Sequence, residues 1–231
     1  MAVTAASVAF DRPRPGRYFL ADSAPAAWLS AVAPRPGRRC FRLLSGLLPG
    51  LLLLGSPLPA SAQQKIGAFD PEHTRFGVEL RTRWGQRVVG RFPRYQGELV
   101  AVDEDRRQVR VRLATAAVRI GDSERYTAMA RGKAFFDAEH YPEVEFVSDP
   151  VSEEDVRRGG TLRGRLTIRG VTRYETFQLQ PATCARPGRD CDVIASGRID
   201  RYDYGLDAWK LALDNHVRFI MQVRLDKDSE S

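Results

Sequence analysis

The residues best able to do chemistry here are three histidines and a pair of cysteines. His73, His140 and His216 lie far apart in the chain, without the short spacing that would set two of them on one face as metal ligands. His140 follows Asp137 and Glu139, a trio that could be drawn as an acid–base group. It stands just before Tyr141-Pro142, a turn signal, where a solvated histidine beside surface carboxylates is the commoner arrangement. The nucleophile patterns Ser-x-x-Lys and Gly-x-Ser-x-Gly are absent, as is a glycine-rich phosphate loop. Cys184 and Cys191 flank the turn-like hexapeptide Ala-Arg-Pro-Gly-Arg-Asp. In an oxidising compartment that pair reads as a disulfide closing a hairpin, stabilising by about 2 kcal/mol through chain entropy. Catalysis, a resident metal and an organic cofactor are therefore not expected.

The compartment is suggested by the start of the chain. Arg38, Arg39 and Arg42 precede an apolar run over residues 43–54, and Ala60-Ser61-Ala62 supplies a small-x-small cleavage pattern. Together they predict a secretory signal cut after Ala62, which leaves residues 63–231 as one mature domain in the periplasm. The run holds Gly46, Pro49 and Gly50 and is shorter than the roughly 18 to 20 residues that span a bilayer. No transmembrane segment is expected in the mature protein. Residues 1–37 fit neither a signal nor a domain, which favours a start codon downstream of Met1.

Export also changes the charge argument. The full chain carries +7, but residues 1–62 hold seven arginines against Asp11 and Asp22, leaving 29 basic and 27 acidic residues. The remainder is nearly balanced, with no basic stripe interleaved with aromatics, so nucleic acid is not an expected partner.

The remaining residues fall into elements by their period. Val109 to Leu113, Leu162 to Arg169 and Val217 to Leu225 alternate aliphatic with polar or cationic residues. In a strand that alternation gives one oily and one solvated face, the signature of antiparallel sheets sealed on one side. Further candidates are Phe76 to Leu80, Gln86 to Phe92, Tyr95 to Val102, Glu143 to Ser148, Arg173 to Gln180 and Val193 to Ile199. Ser123 to Phe136 lacks alternation and is the best helix; Tyr202 to His216 is irregular or briefly helical. The fold expected is all-β: an antiparallel up-and-down β-barrel of about eight strands with one or two short helices, closure disposing of exposed edges. Such a barrel is about wide enough for one small ligand. Alternation alone does not separate a hollow tube from a close-packed core.

A set of dispersed motifs then narrows the choice. They are Phe69-Asp70 with His73-Thr74-Arg75-Phe76, and Val89-Gly90-Arg91-Phe92 with Tyr95-Gln96-Gly97-Glu98-Leu99. Phe135-Phe136-Asp137, Tyr141-Pro142 and Phe146 follow, then Gly164-Arg165-Leu166-Thr167-Ile168-Arg169-Gly170-Val171-Thr172. Gly197-Arg198-Ile199 with Arg201-Tyr202-Asp203-Tyr204-Gly205 completes the series. In order and spacing, over residues 66 to 227, this resembles the YceI-like family of exported polyisoprenoid-binding proteins. The resemblance implies a lipocalin-like barrel whose apolar tube holds a long isoprenoid or related lipid non-covalently, as carrier, store or scavenger, without catalysis. The residues expected to line the tube are Phe76, Val78, Leu80, Val109, Val111, Leu113, Phe146, Leu166, Ile168, Phe219, Met221 and Val223. Where the family often has His-(apolar)-Gly, this chain has Arg83-Trp84-Gly85, so Trp84 is expected to narrow or cap one end. Gly164 and Gly197 are expected to leave room for a guest or to mark bends. The alternative is an envelope or stress-related interaction module with a packed core and no ligand. Whether two barrels pair as a homodimer is left open.

Overall fold

The two-residue period becomes a continuous antiparallel ladder in the computed structural model, which describes residues 65–226. The apolar run 43–54 and the cleavage after Ala62 lie outside the described residues. The first strands are β1 (Lys65–Ala68), β2 (Arg75–Thr82), β3 (Arg87–Arg91), β4 (Tyr95–Ala101) and β5 (Arg106–Ala114). A short β6 (Arg119–Ile120) and helix α1 (Glu124–Arg131) precede β7 (Glu143–Ser148). β8 (Val151–Ser152) and helix α2 (Glu153–Arg158) then lead into β9 (Thr161–Ile168), β10 (Val171–Leu179), β11 (Val193–Asp200) and β12 (Leu213–Val223). Among the described residues no helix is long and apolar enough to cross a membrane.

Side chains on the long strands alternate as the sequence demands. In β9, Leu162, Gly164, Leu166 and Ile168 are buried while Thr161, Arg163 and Arg165 face out. Strands β5, β7, β9, β10, β11, β12 and β2 pair in that order, all antiparallel. Closure depends on the segment between β3 and β4, which are separated only by Phe92-Pro93-Arg94. β3 pairs with β2 and β4 pairs with β5, so the two are halves of one bent strand. The Phe92 amide still donates to Phe76 O at 3.0 Å, and the Ala114 amide to Arg94 O at 3.0 Å. Pro93 has no amide hydrogen to offer, which suits the point where the ladder changes partner. Counted this way, eight strands close an up-and-down barrel.

The bend opens a wedge on each side, and short strands fill both. β1 lies along β4 and continues through a Phe69–Leu225 bridge to the end of β12, while β6 lies along β3.

The helices differ from expectation. α1 starts at its Ser123 cap, which accepts from the Tyr126 amide, but stops at Gly132 and does not run on to Phe136. There the chain turns back, with the Phe136 amide donating to Ala130 O at 3.0 Å, and Phe136 packs edge-on against Phe92. The region from Tyr202 to His216 is irregular and briefly helical, as expected, with a 3-10 turn over Arg201–Tyr204 and further turns, but β12 begins at Leu213, earlier than the expected Val217. The second helix is α2, capped by Ser152 and ended by left-handed Gly159.

Candidate functional site

Inward-facing side chains do not fill the barrel evenly. A chamber of about 390 Å³ lies at the end carrying the β4–β5 turn, α2 and the Cys184–Cys191 loop. Its walls are Leu99, Val109, Val111, Leu162, Leu179, Met221 and Val223, and charged residues including Glu104, Arg107 and Glu153 rim it. The disulfide is formed, with a Cα–Cα distance of 6.0 Å, and places Pro187 to Arg189 over this mouth. At the opposite end a second chamber of about 250 Å³ is walled by Val78, Leu80, Val88, Ile168, Ile199, Val217 and Phe219. Helix α1 closes one side of it through Met129 and Ala130. The first volume falls within the range of roughly 300–1,000 Å³ common for small-molecule sites, and the second lies just below it.

Between the chambers the interior is packed. Phe76, Leu113, Phe146, Leu166 and Phe177 converge there around a void of only about 10 Å³. Phe146 and Phe177 meet edge to face with ring centroids 5.0 Å apart, a favoured aromatic geometry. Val111 and Met221 belong to this waist and to the larger chamber, and Phe219 to the waist and the smaller one. One hollow tube is thus replaced by two chambers in line, separated by a ring of aromatics. The strand glycines are part of the cause. A Cβ on Gly197 would stand 2.7 Å from the Phe177 ring, and one on Gly164 2.9 Å from Phe146. The Phe177 ring fills the space beside Gly197, while beside Gly164 the backbone of Val147 and Ser148 is nearer still than Phe146, so neither glycine leaves room for a guest.

Each expected lining residue has a definite place. Val109, Val111, Met221 and Val223 are in the larger chamber; Val78, Leu80, Ile168 and Phe219 are in the smaller; Phe76, Leu113, Phe146 and Leu166 form the waist. Trp84 lines the smaller chamber only from its rim, 65% exposed, in a turn that needs Gly85 at φ 86°. It borders the mouth without covering it.

Several residues of the site carry weaker signals in the sequence. Phe177 and Leu179 occupy the apolar positions of Thr-Phe-Gln-Leu-Gln, inside the Arg173 to Gln180 strand candidate but outside the set of expected lining residues. Arg201 stands in one of the family motifs, but nothing in the sequence marks it as buried, because arginine is rarely so. It is 2% exposed and borders the smaller chamber. Its Nε donates to Asp214 O at 2.9 Å, and Nη1 donates to Ala208 O at 2.8 Å and to Leu206 O. The guanidinium stacks 4.7 Å from the Tyr202 ring centroid, while Nη2 has no hydrogen-bond acceptor. Arg201 thereby straps the Leu206–Asp214 excursion to the barrel mouth. Beside it Tyr204, fully buried, donates to Glu175 Oε1 at 2.7 Å; burial and that carboxylate push its phenol pKa well up.

No histidine lines either chamber. His73, His140 and His216 each pair with a nearby aspartate, Asp70, Asp137 and Asp214 respectively. Among the described residues no group of three His, Cys, Asp or Glu side chains is placed to hold a metal. A larger hollow, about 750 Å³, runs along the outer face of β4 and β5. Ion pairs including Lys65–Glu98 and Arg112–Glu145 lie along it, as on a solvated wall.

Known proteins share this architecture. BcnA of Burkholderia cenocepacia matches with a TM-score of 0.57 at 18% identity, over 67% of this chain and 98% of that one. A polyisoprenoid binding domain from Saccharophagus degradans, implicated in plant cell wall breakdown, matches at 0.53 and 13% identity, over 71% and 100%. In sequence, a UPF0312 protein of Photorhabdus laumondii is 28% identical over 175 residues, covering 72% of this chain and 88% of that protein. A UPF0312 protein of Staphylococcus aureus is 27% identical over 148 residues, 60% of this chain and 81% of its own length. The model of the YceI-like domain matches residues 68–225, from the end of β1 through the residue that bridges back to it. This chain belongs to the YceI-like family.

Proposed function

We infer that this protein binds a long apolar chain, an isoprenoid or related lipid, non-covalently within the barrel and acts in the periplasm as its carrier, store or scavenger. The observation that carries this reading is the pair of apolar chambers in line inside one closed barrel. A buried methylene contributes about 0.8 kcal/mol, so a tail of about 20 carbons has a gross driving force on the order of 15 kcal/mol. Ordering the tail cancels much of that. The walls discriminate by length and width more than by chemistry, since few polar groups face inward. A chain longer than one chamber requires the waist rings to turn aside. The binding function of the Saccharophagus domain is consistent with the same use of the fold. The periplasmic assignment draws on the signal-like leader and on a disulfide in a chain with no redox or metal motif.

Native mass spectrometry of protein isolated from its own envelope, followed by organic extraction, tests the assignment. A co-purifying prenyl lipid displaced by Val111→Trp, which blocks chamber and waist together, is the expected outcome. An interaction module with a filled core instead predicts no bound lipid and no effect of Val111→Trp on function.

A further inference from the structure

The two ends of the barrel differ in a way that the binding function leaves unexplained. The larger chamber is rimmed by charged side chains. The smaller is rimmed by Trp84, Tyr126 and Trp209, which are 65%, 55% and 52% exposed and come from three separate chain segments. Leu211, 93% exposed, is two residues beyond Trp209. Eight large apolar side chains are exposed among the described residues, and three of them line this one opening, with Leu211 close by in the chain. Trp209 holds φ 61°, a left-handed conformation that an aromatic residue rarely adopts. Its carbonyl accepts the Ala212 and Leu213 amides, and Arg201 clamps the same excursion from below. A large ring is thus held outward at a conformational cost, in a segment fastened on both sides.

Two cations precede Trp84 in the chain. Arg81 and Arg83 are both exposed and in no ion pair among the described residues, with the Asp214 carboxylate near enough to Arg83 to feel its charge, whereas Glu79 and Asp207 are tied to Arg87 and Lys210. Across the mouth, Asp122 and Glu124 stand beside Arg125. The Arg83 amide donates to Ala212 O at 2.9 Å, which joins the Trp84 turn to the Trp209 excursion. Exposed tryptophan and tyrosine with adjacent unpaired arginines match the interface of a bilayer, where amphipathic rings sit at headgroup depth and cations meet anionic phosphates.

The geometry points to the Trp84–Trp209 mouth as a docking surface for an anionic phospholipid bilayer, through which the apolar guest enters and leaves the smaller chamber. This rests on the binding function proposed above, and it answers a physical need. A chain whose burial is so favourable is almost absent from water, so exchange has to occur in contact with the membrane.

Flotation of the exported protein, purified from the periplasm, with vesicles of phosphatidylcholine, with and without about a third phosphatidylglycerol, tests the proposal. The exported form is used because an arginine-rich apolar leader would itself bind anionic vesicles. Arg81→Glu/Arg83→Glu is expected to lower the fraction bound to anionic vesicles on the order of tenfold or more, since each cation near the surface is worth about fivefold. Arg163→Glu/Arg165→Glu, the same charge change on the barrel wall, should change it little. Trp84→Ser/Trp209→Ser should weaken flotation on both vesicle types. In parallel, a fluorescent prenyl alcohol is delivered either from donor vesicles or from detergent. Arg81→Glu/Arg83→Glu should slow uptake from vesicles and leave uptake from detergent unchanged. Mouth variants that float and load like the parent would overturn the docking surface, as would wall and mouth reversals with equal effect. Failure of the parent to take up the chain even from detergent would instead overturn the binding function itself.

Discussion

At single residues the barrel interior is set by where a side chain is missing as much as by where one is present. The Gly197 Cα faces the Phe177 ring, so Gly197→Val forces a branched side chain into a filled space. We expect a loss of roughly 1–3 kcal/mol in denaturant unfolding, and a smaller cost for the same change in a Phe177→Ala background, the difference read from a double-mutant cycle. Arg201 should be costlier than its surface relatives. Arg201→Leu leaves three carbonyls, one buried and two part-buried, without their donor, and a destabilisation of about 3 kcal/mol is expected, against less than about 0.5 kcal/mol for Arg165→Leu. Asp70 introduces pH dependence. Burial by itself raises its carboxyl, but the Glu72 and His73 amides and the His73 ring together hold it below the ordinary carboxylate range. A depressed folded value contributes stability above the unfolded pKa of about 3.9, which is lost as pH falls through the folded value. Thermal unfolding followed from about pH 5 downward should therefore show a falling midpoint that Asp70→Asn flattens.

Elements were legible in the chain in proportion to their length. Strands of five residues or more show their alternation, and the buried positions of β9 follow it without exception. β1, β6 and β8 have four, two and two residues, too few for a period, and they exist only because the bend at Pro93 and the neighbouring edges offer partners. Helix α2 carries a readable signature in Ser152 and Gly159 at its ends, with acids in the first turn and arginines in the last. Six residues of it are nonetheless too short to stand out beside a strand pattern. The Cys184–Cys191 spacing is legible because local loops bring such pairs together, and the bridge fixes the flap over the larger chamber. Cys184→Ser/Cys191→Ser should lower stability by about 2 kcal/mol and leave the smaller chamber unaffected, as denaturant unfolding and binding assays would show.

For the molecule as a whole, the alternation shows that a sheet closes but not what its interior holds. Whether inward rings meet or stand apart depends on register across strands that are remote in sequence. Phe146 and Phe177 meet because β9 lies between their strands and Gly164 and Gly197 let both rings lean inward. Phe146→Ala removes one of these rings. It should cost about 3–5 kcal/mol and merge the two chambers, so longer prenyl chains gain affinity relative to shorter ones. The most direct test is a crystal structure of the protein with a bromine-tagged prenyl alcohol. Anomalous peaks inside the chamber walled by Val109, Met221 and Val223, or inside the one walled by Val78, Ile168 and Val217, are the predicted result. Both chambers empty, with the chain on the outer face or absent at saturating concentration, would contradict the account.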